Sequence, residues 1–259
     1  MLALVQPAER RNKGRMKLFA ALRRAGRFLL DLALPPRCPG CGSVTPEVDL
    51  FCEACWSDVD FLGGGCGTCG MPLEATEAET CGACLADPPP LDRIRSAVAY
   101  GETARSLVLR LKYGRKTALA KTMAHYMRRP FGELSQGAVV APVPLHRRRL
   151  WGRGFNQAAL IASALARGSG AEVEPMLLRR TRHTPRLKGM SVSERRRAVQ
   201  GAFALREGHE VKGRNIILVD DVYTSGSTAY ACARLLKRKG AASVELVTWA
   251  RVVRPTVVR

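Results

Sequence analysis

The sequence predicts an α/β protein, a parallel sheet flanked by helices and preceded by a small metal-held module. Three observations carry this. Ile216-Ile217-Leu218-Val219 is followed by Asp220-Asp221 and then by a small-residue stretch, Thr224-Ser225-Gly226-Ser227-Thr228, that opens a helix-periodic segment over 227–239. A second apolar run at 138–145 is followed by a helical pattern from Asn156. Eight of the nine cysteines fall into four Cys-x-x-Cys pairs near the amino-terminal end.

Four apolar residues without polar alternation suit a parallel strand covered on both faces. The acids are then expected at the strand's end, on the carboxyl edge where open α/β sheets bind ligands. A Thr/Ser/Gly turn running into a helix N-terminus offers N–H groups, hydroxyls and a positive dipole end to a phosphate. Acids for a sugar diol or metal, beside donors for a phosphate, imply a sugar-phosphate ligand. A Walker B strand also ends in acids, but it needs a Gly-x-x-x-x-Gly-Lys-Ser/Thr loop, and Gly114-Arg115-Lys116-Thr117 lacks that spacing.

The pairs Cys38/Cys41, Cys52/Cys55, Cys66/Cys69 and Cys81/Cys84 have the spacing of zinc ribbons: two short loops, each presenting two thiolates, complete a tetrahedral site. Two structural zinc sites follow. Sequential pairing is favoured, and an interleaved arrangement uses the same residues. Disulfides are not expected, since the start of the chain shows no apolar h-region followed by a small-residue cleavage site. Four evenly spaced pairs among glycines and prolines also look structural rather than redox-active.

In the second strand unit, Ala138 to Leu145 is expected to be buried and His146 to Phe155 to form an arginine-rich loop before a helix capped by Asn156. The planar forks of Arg147, Arg148 and Arg153 suit a pyrophosphate. The formal net charge of +20 would concentrate polyanions of any kind, nucleic acid included. Met16 to Leu34 reads as a basic amphipathic helix, with Leu18, Leu22, Leu29 and Leu32 on one face and Lys17, Arg23, Arg24 and Arg27 between them. Docking onto the rest of the protein, or contact with a membrane surface or nucleic acid, are its two readings. No stretch approaches a membrane span. The division expected is 1–34 for a disordered start and this helix, 35–87 for the zinc module and 91–259 for the α/β domain, joined across Pro88-Pro89-Pro90.

From Ile216 to Thr228 the chain resembles the type I phosphoribosyltransferases, whose motif for phosphoribosyl pyrophosphate (PRPP) it fits at every position. The resemblance implies that Asp220 and Asp221 hold the ribose hydroxyls directly or through Mg²⁺, and that Val222, Tyr223, Thr224, Ser225, Gly226, Ser227 and Thr228 form the PRPP loop around the 5′-phosphate. With Pro142-Val143-Pro144-Leu145-His146-Arg147-Arg148-Arg149, Arg153-Gly154-Phe155-Asn156-Gln157 and the cysteine pairs, it narrows from Leu30 to Val253 to ComF-type proteins, a double zinc ribbon fused to a phosphoribosyltransferase-like domain. That family is associated with natural competence and the handling of imported single-stranded DNA in the cytoplasm. Its members are often called amidophosphoribosyltransferases.

The same resemblance makes Thr181 to Ser191 a mobile loop closing over the reacting centre, with Gly189 as a hinge. Arg186-Leu187-Lys188 stands where many relatives carry Gln, so that residue's role does not transfer. Cys232 is expected to be a packed hydrophobe, and His125 and His209 to be surface or packing residues. Three readings stay open: transfer of phosphoribosyl from PRPP to an acceptor, non-catalytic binding of single-stranded DNA with Trp151 and Phe155 as stacking residues, and a zinc-ribbon adaptor for competence-machinery proteins. Whether the protein turns over is left open.

Overall fold

The computed structural model describes residues 34–73, 79–182, 184 and 190–253. The helix expected over 16–34 therefore lies outside the described residues except for Leu34. So do His183, Gly189 and the Arg186-Leu187-Lys188 departure. The chain divides into two compact units, 1–52 and 53–259.

In the first unit, residues 34–52 form a knuckle. An antiparallel bridge joins Arg37 to Val44, and the turn between them is closed by Cys38 N–H to Ser43 O (2.7 Å) and Gly42 N–H to Cys38 O (2.9 Å).

The second unit contains, in chain order, α1 (Glu53–Asp58), α2 (Gly82–Ala86), β1 (Arg93–Ala99), α3 (Glu102–Tyr113), α4 (Leu119–Phe131), β2 (Val139–Pro142), α5 (Arg147–Arg153), α6 (Gln157–Leu165), β3 (Glu172–Val173), β4 (Leu178–Arg180), α7 (Val192–Val199), β5 (Phe203–Leu205), β6 (Asn215–Tyr223), α8 (Ser227–Arg238) and β7 (Ser243–Arg251). Five strands form a parallel sheet in the order β1-β7-β6-β2-β3, and β4 pairs antiparallel with β5 as a separate ribbon. The central residues Ile216, Leu218 and Val219 are fully buried, as a strand covered on both faces requires.

Right-handed crossovers decide which face each helix covers. The chain leaves β2 towards β3 through α6, and leaves β6 in the opposite direction towards β7 through α8. The two helices therefore cover opposite faces. Accordingly α6 packs on α4, β2 and β6, while α8 packs on α7, β5 and β7. The point where the crossovers diverge, the carboxyl edge between β2 and β6, is a crevice open to ligands.

Two expectations are corrected in detail. The strand expected to end at the acids continues through Tyr223, because β7 keeps pairing with β6 as far as Tyr223↔Arg251. The loop expected at 146–155 contains helix α5. His146 caps it, its Nδ1 accepting from Arg148 N–H at 3.3 Å, and Gly154 ends it in the left-handed region at φ +84°.

Candidate functional site

Pairing between β2 and β6 stops at Pro142↔Val219, with Val143 N–H to Val219 O (2.8 Å) as the last link. Beyond it the chain turns away into α5, so Asp220 and Asp221 stand beside the gap this leaves. Side chains alternate along a strand, and the two acids therefore diverge. Asp220 lines a cleft together with Val222 to Ala229, Leu246 and Thr248. Asp221 is buried, turned to the other side, and paired with Lys112 at the end of α3.

The environment of Asp220 disfavours its charge. Burial and the adjacent Asp221 carboxylate push it up to about 8, against the opposing pull of Lys112. Its Oδ1 accepts the Asp221 N–H at 2.9 Å. A cation in the cleft would oppose that shift.

The turn after β6 is built for close approach. Gly226 has φ +70° at the N-cap of α8, and a Cβ there would lie 2.7 Å from Tyr230 Cε1 and 2.9 Å from Tyr223 Cε2. Only glycine fits without displacing those rings. The Tyr223 and Tyr230 hydroxyls are 2.7 Å apart, and the Ser225 and Ser227 hydroxyls 2.8 Å apart. Hydroxyls and the N–H groups of the first turn of α8 line the cleft, a donor set suited to phosphate.

The expected pyrophosphate arginines separate. Arg153 is half-buried, its guanidinium 5.5 Å from the centre of the Tyr113 ring, and it donates to Gln157 Oε1. Lys112 and Tyr113 thus tie both Asp221 and Arg153 to the end of α3. Arg147 and Arg148 are exposed on α5 and do not line the cleft. Trp151, on the same helix, is 85% exposed.

Three further cations act on residues of the site. Lys112 has no motif signal of its own. Arg180, at the end of β4, has its guanidinium 5.3 Å from the Phe203 ring centre and donates to Thr184 Oγ1; desolvation and the Arg149 charge lower it, while Asp220 pulls it up. Arg251, at the end of β7, is 3% exposed. The loop expected to be mobile starts from Arg180 and returns through α7. Ser191 caps that helix in a capping box, its N–H donating to Glu194 Oε2 at 2.7 Å. Cys232 is fully buried, as expected. His209 contacts Glu174 at 3.2 Å.

The cysteines form two sequential clusters, Cys38/Cys41/Cys52/Cys55 and Cys66/Cys69/Cys81/Cys84, each with its four sulfurs within 4.8 Å of one another. This decides the pairing left open by the sequence. Cys41 and Cys52 sulfurs are 3.5 Å apart, and Cys69 and Cys81 sulfurs 3.6 Å apart. Zinc–sulfur bonds of about 2.3 Å at tetrahedral angles put sulfurs about 3.8 Å apart, so the residues fit zinc. Backbone N–H groups of Cys52 and Cys81 approach the sulfurs of Cys38 and Cys66 at 3.3 Å each, favouring thiolate. Cys41 is pulled down to about 6, chiefly by the Ser43 hydroxyl. Burial and the Cys69 sulfur push Cys84 up, which a cation among the thiolates would reverse. These are two Cys₄ zinc-binding sites.

Fold and site together define a phosphoribosyltransferase-type domain carrying a double zinc ribbon. Family models agree: residues 29–85 match "Double zinc ribbon domain" and residues 153–257 match "Phosphoribosyl transferase domain". The chain is 35% identical over 188 residues to the DNA utilization protein YhgH of Escherichia coli K12, covering 70% of this chain and 81% of that protein. It is 30% identical over 223 residues to competence protein F of Haemophilus influenzae, covering 83% and 96%. With competence protein ComFC of Bacillus subtilis the identity is 28% over 214 residues, covering 78% and 85%. The chain belongs to this ComF family of competence and DNA utilization proteins.

Proposed function

We propose that the cleft at the carboxyl edge of β6 binds PRPP or a related ribose 5-phosphate. The observation that carries this is the convergence of Asp220 and the turn 224–228 on one cleft, with a phosphate-type donor set on one side and a carboxylate on the other. The turn would wrap the 5′-phosphate, and Asp220 would hold ribose hydroxyls directly or through Mg²⁺. Asp221 would take part only by exchanging Lys112. Arg153, with Arg147 and Arg148 on the same helix, would face the pyrophosphate; Mg²⁺ when bound would neutralise charge on that leaving group.

Calorimetry with Mg-PRPP tests the reading. One ligand should bind per chain, and Asp220→Asn should weaken it at least tenfold. Unchanged affinity in that variant would remove the assignment. Pyrophosphate release over a panel of acceptors decides between transfer and binding alone.

A second reading is favoured by α5, where Trp151 stands 85% exposed beside the exposed Arg147 and Arg148. An aromatic plane among arginines is the physics of single-strand binding. The names of the relatives, DNA utilization and competence proteins, support a role in DNA uptake in the cytoplasm, with competence-machinery proteins as partners of the zinc ribbon. Among the described residues no helix is long and apolar enough to cross a membrane. Single-strand affinity should fall steeply with salt, and Trp151→Ala should weaken it while leaving PRPP affinity intact. A salt-independent affinity would exclude this reading.

A further inference from the structure

The second cysteine cluster is built into the α/β core. Cys66, Cys69 and Cys84 are buried in the same cluster as Ile94, Leu218, Leu246 and Ala229, and Tyr223 and Tyr230 pack against it. The knuckle is pinned to β1 by Ile94 N–H to Thr68 O (2.8 Å) and by Arg95 Nη2 to Gly67 O (2.9 Å). Gly70 comes so close that a Cβ would lie 2.8 Å from Ile94 O.

Arg251 links this knuckle to the base of the phosphate-type turn. Its Nη1 donates to the carbonyl oxygen of Cys69, and its guanidinium sits 5.2 Å from the centre of the Tyr223 ring. Sheet register fixes the second contact, since Arg251 is the partner of Tyr223 and Val252 N–H bonds Tyr223 O at 3.0 Å. Tyr223 in turn bonds Tyr230, and the two rings form the seat on which Gly226 rests. A buried guanidinium is costly, and the Nε of this one has no hydrogen-bond partner among the described residues. A Zn²⁺ ion with four thiolates carries two net negative charges, which supplies the missing compensation.

The geometry points to a positioning role: the second zinc site holds the phosphate-binding turn in place through Arg251 and the Tyr223–Tyr230 pair, so zinc affinity at that site and occupancy of the turn are coupled. This rests on the ribose-phosphate reading of the cleft. When zinc is lost the four thiolates take up protons, and the negative charge that Arg251 faces goes with them. The guanidinium then no longer anchors the Tyr223 ring, and the seat of Gly226 is released. Linkage is reciprocal, so a ligand in the turn must tighten zinc at the second site. The first cluster shares none of these residues and is the internal control.

The test is an equilibrium zinc competition against a chromophoric chelator on the full-length, zinc-loaded protein, with and without saturating ribose 5-phosphate. That probe lacks the pyrophosphate, which would chelate zinc itself. The two zinc steps are assigned with Cys41→Ser, which weakens the first site. Ribose 5-phosphate should tighten the second site about fivefold or more, within the usual range of coupling between sites, and leave the first unchanged. Arg251→Lys and Tyr230→Phe, both checked by circular dichroism for retained fold, should lose most of that effect while still binding two zincs. Equal tightening of both sites would indicate general stabilisation of the folded state and overturn the proposal. So would an unchanged second site in a protein that calorimetry shows to bind the sugar phosphate, or coupling undiminished in Arg251→Lys. Absence of sugar-phosphate and PRPP binding to the wild type would instead refute the cleft assignment, and this inference with it.

Discussion

Gly226→Ala tests whether the turn is shaped by packing or merely by backbone freedom. At φ +70° an alanine sits in the left-handed region, at a cost of about 1 kcal/mol. Its Cβ would also meet the Tyr230 ring at 2.7 Å and the Tyr223 ring at 2.9 Å. Neither ring can swing freely, because their hydroxyls are bonded at 2.7 Å and Arg251 lies over Tyr223. Overpacking of this kind costs roughly 1–3 kcal/mol. The sum is about 2–4 kcal/mol, or about 5–15 °C in Tm for a unit of this size. Gly213→Ala is the matched control: the same φ of +70°, with nothing within 4 Å of the added methyl. It should lose only about 1 kcal/mol. Thermal denaturation of both variants, with ribose 5-phosphate calorimetry, reads the difference. Equal destabilisation would show that the rings do not support the turn, and unchanged ligand affinity in Gly226→Ala would show that the turn does not carry the phosphate.

Lys112→Met leaves Asp221 as a buried carboxylate without its cation, and breaking such a pair costs about 3–5 kcal/mol. Urea unfolding should show that loss, and Lys112→Met combined with Asp221→Asn should recover much of it. Asp220 titrates near 8 when folded and near its ordinary value when unfolded. A raised carboxyl contributes stability that is complete below the unfolded pKa, so stability of the ligand-free protein should decline as pH rises from about 4 to about 8. Asp220→Asn should flatten that stretch, and a slope unchanged in the variant would assign it to other groups. Metal analysis should return two zincs per chain. Strong chelation should unfold the second unit cooperatively, because Cys66, Cys69 and Cys84 belong to its core, with a loss on the order of 10 kcal/mol per site.

The strand-turn-helix at the centre of the site was legible because its signals are local: an apolar run, two acids, small residues and a helical period lie within one short segment. The zinc clusters were legible for the same reason, and only their pairing needed the structure. Helix α5 was not. Three consecutive arginines and a glycine read as a loop, and a seven-residue helix has little stability of its own. It exists because His146 caps one end and Gly154 turns the other. Lys112 and Arg251 were invisible for a different reason. Each is an ordinary basic residue whose meaning comes from a partner far away in the chain, Asp221 in one case and Tyr223 and Cys69 in the other.

Adjacent acids on a strand look like one bidentate ligand in sequence, yet the two-residue repeat of a strand gives them separate tasks. Asp220 shares the cleft with the phosphate-type turn, and burial beside the Asp221 carboxylate raises it. Asp221 already has its cation, and through Lys112 and Tyr113 it anchors the end of α3 against which Arg153 stacks.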